Sequence, residues 1–545
     1  MTPTVWPPGV PAAAAAPPLV PAPGAAPAPA PARAALAPGW PLALGSLAWA
    51  GVWLGTLAAL ALAPPVDDIE QLTWVRSLQW GYYKHPPLPT WLLWGPEQLF
   101  GPTPWLTYGL GAVCTLGALA ILWMLLAPLR GRTYATVALL AGLCITYYNR
   151  QLHFYNHEVV LMLLTSASAW LCWRAFATGR RRWWLALGVA LGLGALTKYQ
   201  VVVTLASVAV FAVHQRFWRS TAHRQGALAA CLIALLMFVP HVEWLRTHDF
   251  GPVRYALGSS LGAGLSMLGR AGQAGHWLLD QLLNRALPAL LLLAVAVATA
   301  HKQAPGAAAA ADRPVADGSR ALLWAWGAVP LAFMPAMALL AGADLPLHWG
   351  APFLLFAVPA AMELLPRDTW GRVAMKPVLR AFVLLQLLLL ATLALTSVRG
   401  PFGSRVHGWH RVDAQALAHS VAAAARRQLG GPIRLVVGDP ATAGALSLAL
   451  PEHPLVMIDG RLDLSPWVAP DLLARCGALQ IGHLPPGPGA PHHLRLHPHR
   501  AQAERLGFGL PDHGWPDGQP VGAAFPRLQW RVIPRTAGAA ACPAP

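Results

Sequence analysis

Residues 378–395 read VLRAFVLLQLLLLATLAL, with one charge at Arg380 and one amide at Gln386. A helix rises about 1.5 Å per residue, so a run of this kind comes close to covering the roughly 30 Å hydrocarbon core of a bilayer. Leu283 to Ala300 and Ala321 to Leu340 are built alike. Outward from these, apolar blocks near 41–63, 105–127, 133–149, 158–177, 183–197, 200–215, 226–240, 280–300, 321–341, 350–365 and 377–397 predict a polytopic α-helical membrane protein of about eleven spans. The split at Thr197-Lys198-Tyr199 reads as a tight turn between two helices, because a charge at mid-bilayer is expensive.

Composition excludes the ordinary soluble classes: 56% of the 545 residues are hydrophobic and 11% are charged. The formal charge of +17 is scattered through short loops rather than gathered in one patch. It therefore reads as a topology signal with some attraction to anionic membrane lipids, and nucleic acid is not an expected partner. Cys114, Cys144, Cys172 and Cys231 lie inside apolar runs without CxxC spacing, which indicates no zinc site. Cys476 and Cys542 can pair if their segment lies in an oxidising compartment, which spacing leaves open.

Three regions follow. Residues 1–40 are almost entirely Ala, Pro and Gly with one charge at Arg33, the composition of a disordered leader, and they lack the pattern of a cleaved signal. Residues 41–399 form the membrane domain. With alternating spans, Arg130, Arg132, Arg180 to Arg182, Arg216, Arg219, Arg224, Lys302, Arg313, Arg320, Arg367, Arg372 and Lys376 fall on one side, the expected cytoplasmic side of a bacterial inner membrane. The loops 64–104, 148–157, 241–279 and 342–349 then face the periplasm, as does the region 400–545. That region reads as a small α/β domain, with a strand at Ile433–Val437, a helix at Ala441–Leu450, a strand at Leu455–Ile458 and an irregular tail beyond Pro485.

The first outer loop carries the densest polar signal. Val66-Asp67-Asp68-Ile69-Glu70-Gln71 places three carboxylates in four residues, and Gly81-Tyr82-Tyr83-Lys84-His85-Pro86-Pro87-Leu88 follows. Adjacent carboxylates repel and need solvent, a cation or a counter-charge. Glycosyl transfer needs a carboxylate to take a proton from the acceptor and a cation to receive phosphate charge, so Asp67 or Asp68 can supply the base and Lys84 and His85 the positive charge. Asn156 and Glu158, Lys198, His241 and Glu243, and His348 with Trp349 recur on the same expected side and complete a candidate substrate-binding set.

Asp67-Asp68-Ile69-Glu70-Gln71, Gly81-Tyr82, His85-Pro86-Pro87-Leu88 and Trp91 resemble the first-loop signature of bacterial GT-C glycosyltransferases related to protein O-mannosyltransferases and the lipid A aminoarabinose transferase. The resemblance continues through Gly192 and Gly194 to Lys198-Tyr199, and through His348-Trp349 with Pro352, where relatives often carry Arg-Trp. It implies a polyprenyl-phosphate sugar donor, a periplasmic or lipid acceptor, Asp67 as the first-choice base, and in some members a divalent metal (Mg, Mn or Zn), for which Asp68 and Glu158 are the candidate ligands. Asp68 stands where the family usually has Glu, and His348 where it often has Arg. The rival class is a transporter or flippase, which would place ionisable groups at mid-bilayer on broken helices with inverted repeats. The carboxylates here cluster in a surface loop instead.

Overall fold

The computed structural model describes residues 39–259, 265–303, 318–405, 408–483 and 514–543. The leader up to residue 38, the basic residue Arg313 and the segment 484–513 lie outside the described residues. All eleven apolar blocks contain helix, but not of equal length. Six helices are long and apolar enough to cross a membrane: Trp40–Leu60, Pro104–Arg130, His157–Thr178, Thr221–Thr247, Ser319–Ala341 and Met375–Thr396. Met267–Arg285 and Leu287–His301 make a seventh crossing only as a pair bent by 55°. The other four, Arg132–Cys144, Arg181–Ala195, Val201–His214 and Leu354–Met362, have 13, 15, 14 and 9 residues. At about 1.5 Å per residue these fall short of the hydrocarbon thickness. Hydropathy overstates such blocks because it ignores the backbone: apolar residues continue through Ile145, yet its extended conformation ends the helix at Cys144.

The chain is thus a mostly helical integral membrane protein. Pro104–Arg130 runs through the middle of the bundle, lined by buried Leu119, Leu122, Leu125 and Leu126. Thr221–Thr247 and Met375–Thr396 lie outside and expose Leu232, Leu235 and Leu236, and Leu384, Leu387 and Leu388. Lipid is the solvent that such surfaces suit. The first and last long helices are tied by a polar contact: the indole N–H groups of Trp49 and Trp53 both donate to Gln386 Oε1, each at 2.9 Å.

The bundle has two polar ends. At one, Arg130 binds Glu363 with two hydrogen bonds of 2.8 and 3.0 Å, while also donating to Ser319. Tyr134 donates to the same carboxylate at 3.1 Å, and Arg320 to the Glu363 carbonyl. The opposite end gathers the first loop, the 145–157 connection, the 196–200 turn, the 342–350 segment and the region after Met375–Thr396.

That last region folds over the first loop. Its sheet has the order β2-β1-β3-β5-β4, with β1 Leu435–Gly438, β2 Leu455–Ile458, β3 Ala478–His483, β4 Gln519–Pro520 and β5 Leu528–Ile533. β1 is parallel to β2 and β3, whereas β5 is antiparallel to β3 and β4. The expected strand at 433–437, helix at 441–450 and strand at 455–458 correspond to β1, helix Pro440–Ala449 and β2. The irregular tail expected beyond Pro485 needs correction within residues 514–543. Leu528 and Trp530 of β5 are buried against the sheet, and Cys542 is disulfide-bonded to Cys476.

Candidate functional site

Pro64-Pro65 follows the first long helix, and Pro65 has extended backbone that sets the start of helix Val66–Trp74. Asp67 and Asp68 occupy its first turn, where the helix dipole favours negative charge. Consecutive helical residues point about 100° apart, so the two carboxyl groups enter different surroundings.

Asp67 is half-buried and opens into a cleft whose other walls include Tyr147, Tyr148, Asn156, Glu158 and His348. Asn156 fixes one of its oxygens. The Asn156 Oδ1 accepts the Val159 N–H at 3.1 Å and caps helix His157–Thr178, which leaves its Nδ2 to donate to Asp67 Oδ2 at 3.0 Å.

Asp68 is fully buried on another side. Its Oδ1 accepts the Tyr155 N–H at 3.0 Å, while Oδ2 has no hydrogen-bond partner. Burial pushes the Asp68 acid well above the usual carboxylate range, outweighing the lowering influence of the Thr107 hydroxyl and the Tyr155 N–H; Asp67 adds to the rise. This environment favours a neutral acid and contrasts with that of Asp67.

Two buried ion pairs flank the carboxylates. Lys84 binds Glu70, with the Tyr83 hydroxyl at 3.4 Å from the same oxygen. Burial opposes the Lys84 charge, but Glu70, Tyr83 and Tyr255 together hold the ammonium well above the usual lysine range. Lys198, in the turn between Arg181–Ala195 and Val201–His214, binds Glu158, and His348 Nε2 lies 3.4 Å from that carboxylate. The Lys198 ammonium also sits 5.4 Å from the centre of the Trp349 ring.

His85 lies between these pairs, its ring 4.0 Å from that of His157. Burial drives the His85 imidazole well below its ordinary value, and His157, Lys198, Lys84 and His348 push it the same way. It therefore presents a neutral ring, and the positive charge expected there rests on Lys84 alone.

The structure separates His241 from Glu243. His241 is buried and bridges the Trp80 carbonyl at 2.6 Å and the Tyr199 hydroxyl at 2.9 Å, thereby bracing the first loop against the 196–200 turn. A Cβ on Gly81 would lie 2.5 Å from the Trp244 ring, so this approach requires glycine. Glu243 instead points outward and pairs with Arg246 at 3.4 Å, with both side chains more than half exposed.

Asp68 and Glu158 do not fit a shared metal site. Asp68 lies against Tyr155, and Glu158 is engaged by Lys198 and His348. Among the described residues, no three His, Cys, Asp or Glu side chains converge as ligands.

Three features escaped the sequence reading. Tyr147 and Tyr148 form a cleft wall, held by hydrogen bonds to the Leu347 carbonyl and, at 2.8 Å, the Ala351 carbonyl. Thr146-Tyr147-Tyr148-Asn149 at the end of an apolar block was their available signal. Asp280 and Arg285 pair at 3.0 Å within a π-helical segment at the 55° bend, and the Arg285 guanidinium lies over Tyr147 at 4.4 Å. Asp459, after β2, has a left-handed φ of 49°. Burial and Asp439 push its acid up to about 7 against the pull of Arg461 and Lys84, and Tyr83, the neighbour of Lys84, packs against the hydrophobic cluster of the α/β region.

Residues 84–244 match the family described as dolichyl-phosphate-mannose-protein mannosyltransferase. A lipid A galacturonosyltransferase, RgtD, of Rhizobium johnstonii is 28% identical over 199 residues, covering 35% of this chain and 40% of the relative. A lipopolysaccharide core galacturonosyltransferase, RgtA, of the same organism is 25% identical over 191 residues, covering 33% and 37%. The chain thus spans about two fifths of the length of these curated relatives. The solved structure of ArnT from Cupriavidus metallidurans bound to undecaprenyl phosphate superposes with a TM-score of 0.55 at 15% identity, covering 93% of this chain and all of that one. Residues 84–244 thus resemble the protein mannosyltransferase family, and the chain as a whole shares the fold of ArnT.

Proposed function

We propose that this chain transfers a sugar from a polyprenyl-phosphate carrier to a cell-envelope lipid acceptor, at the periplasmic face of a bacterial inner membrane. The observation that carries the reading is the contrast between neighbours: Asp67 opens into the cleft with one oxygen oriented by Asn156, while Asp68 is buried in surroundings that favour its neutral form. Asp67 would accept the proton of an acceptor hydroxyl or amine as that atom bonds to the anomeric carbon. The bond from that carbon to the phosphate oxygen breaks, and polyprenyl phosphate leaves with the bonding pair. Lys84 and Lys198 each carry three N–H donors, and a carboxylate engages them from one side. The remaining donors suit a phosphate that gains charge as it departs.

The orientation rests on three supports. The end that holds Arg130 and Arg320 carries the basic excess expected of a cytoplasmic face. The Cys476–Cys542 disulfide suits an oxidising compartment for the α/β region. That region packs on the first loop, so the two share a side.

Purified protein in nanodiscs, given lipid A and undecaprenyl-phosphate-linked galacturonic acid, aminoarabinose or mannose, should form one glycosylated lipid detectable by mass spectrometry. Asp67→Asn should remove most of that turnover. Absence of any transferred sugar, together with uptake of a labelled lipid-linked sugar across sealed vesicles, would favour the transporter reading instead.

A further inference from the structure

The α/β region touches the cleft-bearing helix at a place where space is exhausted. Helix Pro440–Ala449 lies across helix Val66–Trp74, and an ideal Cβ on Gly444 would stand 2.3 Å from Ile69 Cγ2 and 3.3 Å from Thr73 Oγ1. Ile69 is fully buried and clusters with Ala414 and Ala445. Two further bonds hold the approach to the helix: Trp409 Nε1 donates to the Pro64 carbonyl at 2.8 Å, and the Ala414 N–H to the Leu62 carbonyl at 3.3 Å. Ile69 stands between Asp68 and Glu70 in the sequence, so any roll of this nine-residue helix about the Ile69 contact also moves Asp67.

We propose that the α/β region is a positioning element for the reaction, and that the Gly444–Ile69 contact sets the roll of helix 66–74 and hence the place of the Asp67 carboxylate in the cleft. The inference rests on the transferase reading above and gives the region after the last long helix a task within it. An ordinary contact for a new Cβ begins near 3.4 Å, so Gly444→Ala must move the two helices apart by about 1 Å or displace the Ile69 methyl. Ile69 has no solvent into which to turn. A misplacement of about 1 Å can cost on the order of 10²-fold in rate even when the substitution is remote from the chemistry. Helix propensity alone argues the other way, since alanine is favoured over glycine within a helix.

The test is a steady-state comparison in nanodiscs, with the donor and acceptor that wild type turns over in the assay above. Gly444→Ala should lower kcat about 10²-fold and leave KM for the donor within a few-fold. Ile69→Leu, which removes the clashing Cγ2 methyl while keeping the volume, should restore much of that kcat in the double variant. Trp409→Phe, which cuts the bond to Pro64 without adding bulk, should lower kcat several-fold with KM unchanged, and it decides the matter if Gly444→Ala does not fold. A folded Gly444→Ala protein with wild-type kcat, a loss that Ile69→Leu does not repair, or an unaffected Trp409→Phe protein standing in for an unfolded Gly444→Ala would overturn the inference. Those results leave the transferase reading intact provided that wild type is active and Asp67→Asn is not; an inactive wild type overturns both.

Discussion

Replacing Asp68 by Asn tests the division of labour between the two neighbouring carboxyl groups. Asn is nearly isosteric, keeps an oxygen to accept the Tyr155 N–H, and substitutes a neutral NH₂ for the oxygen that has no hydrogen-bond partner in the fold. In wild type, burial raises the Asp68 acid, so the folded protein keeps a proton that the unfolded chain releases above about pH 4. The unfolded state then binds fewer protons than the folded one, and this site's contribution to stability falls as pH rises between the two pKa values. The slope is about 1.4 kcal/mol per pH unit, or tenfold in the folding equilibrium. Asn has no proton to lose, so the stability of Asp68→Asn relative to wild type should grow by about that amount for each unit within the window. Denaturation in mixed micelles at unit steps upward from about pH 4 would locate the window and measure the slope, with transfer assayed on the same preparations and expected to stay near wild type. Equal pH slopes for the two proteins would refute the neutral, buried Asp68, and loss of transfer in Asp68→Asn with retention in Asp67→Asn would move the base to Asp68.

Asp67→Asn should lower turnover by about 10²- to 10⁴-fold, the usual contribution of a general base, without altering expression or undecaprenyl phosphate binding; near-normal turnover would remove Asp67 from the mechanism. Lys84→Met leaves Glu70 buried without its partner, at a cost of about 3–5 kcal/mol, which Lys84→Met with Glu70→Gln should largely recover. Undecaprenyl phosphate binding should stay weak in that double variant, and normal binding would show that Lys84 is structural. The parallel pair Lys198→Met and Glu158→Gln should behave alike by the same measurement. Alkaline phosphatase fusions after Gln98 and Gly430 should be active if both lie in the periplasm, and activity at only one of them would contradict the shared side.

The long apolar blocks were legible because a span must be continuous in sequence, and the first-loop carboxylates because like charges so close together are unusual. Span lengths were less legible, since only the backbone reveals that Ile145 is extended or that the 280–301 block is bent. Asp67 and Asp68 look equivalent in a sequence; their difference arises from Tyr155 and Asn156, almost ninety positions away. Lys-His-Pro-Pro reads as two cations because burial cannot be seen in it, and His241 and Glu243 look like one cluster although residues two apart on a helix point about 200° apart, here one into the protein and the other outward. In β5, Leu528-Gln529-Trp530-Arg531-Val532-Ile533 does alternate, but the surrounding Pro and Gly hid a strand whose partner begins fifty positions earlier.

Gln386 accepting from both Trp49 and Trp53 has a consequence for biogenesis. The acceptor is synthesised more than three hundred residues after its two donors. At about 5–20 residues per second, the indole N–H groups wait on the order of tens of seconds for their partner. During that interval the first helix stands in lipid, where an unpaired N–H is costly. Closing the bundle therefore coincides with the end of membrane-domain synthesis. A ribosome-stalled chain ending before Gln386 should leave the first helix open to photocrosslinking with lipid or insertase, and release of the next thirty residues should abolish that crosslink.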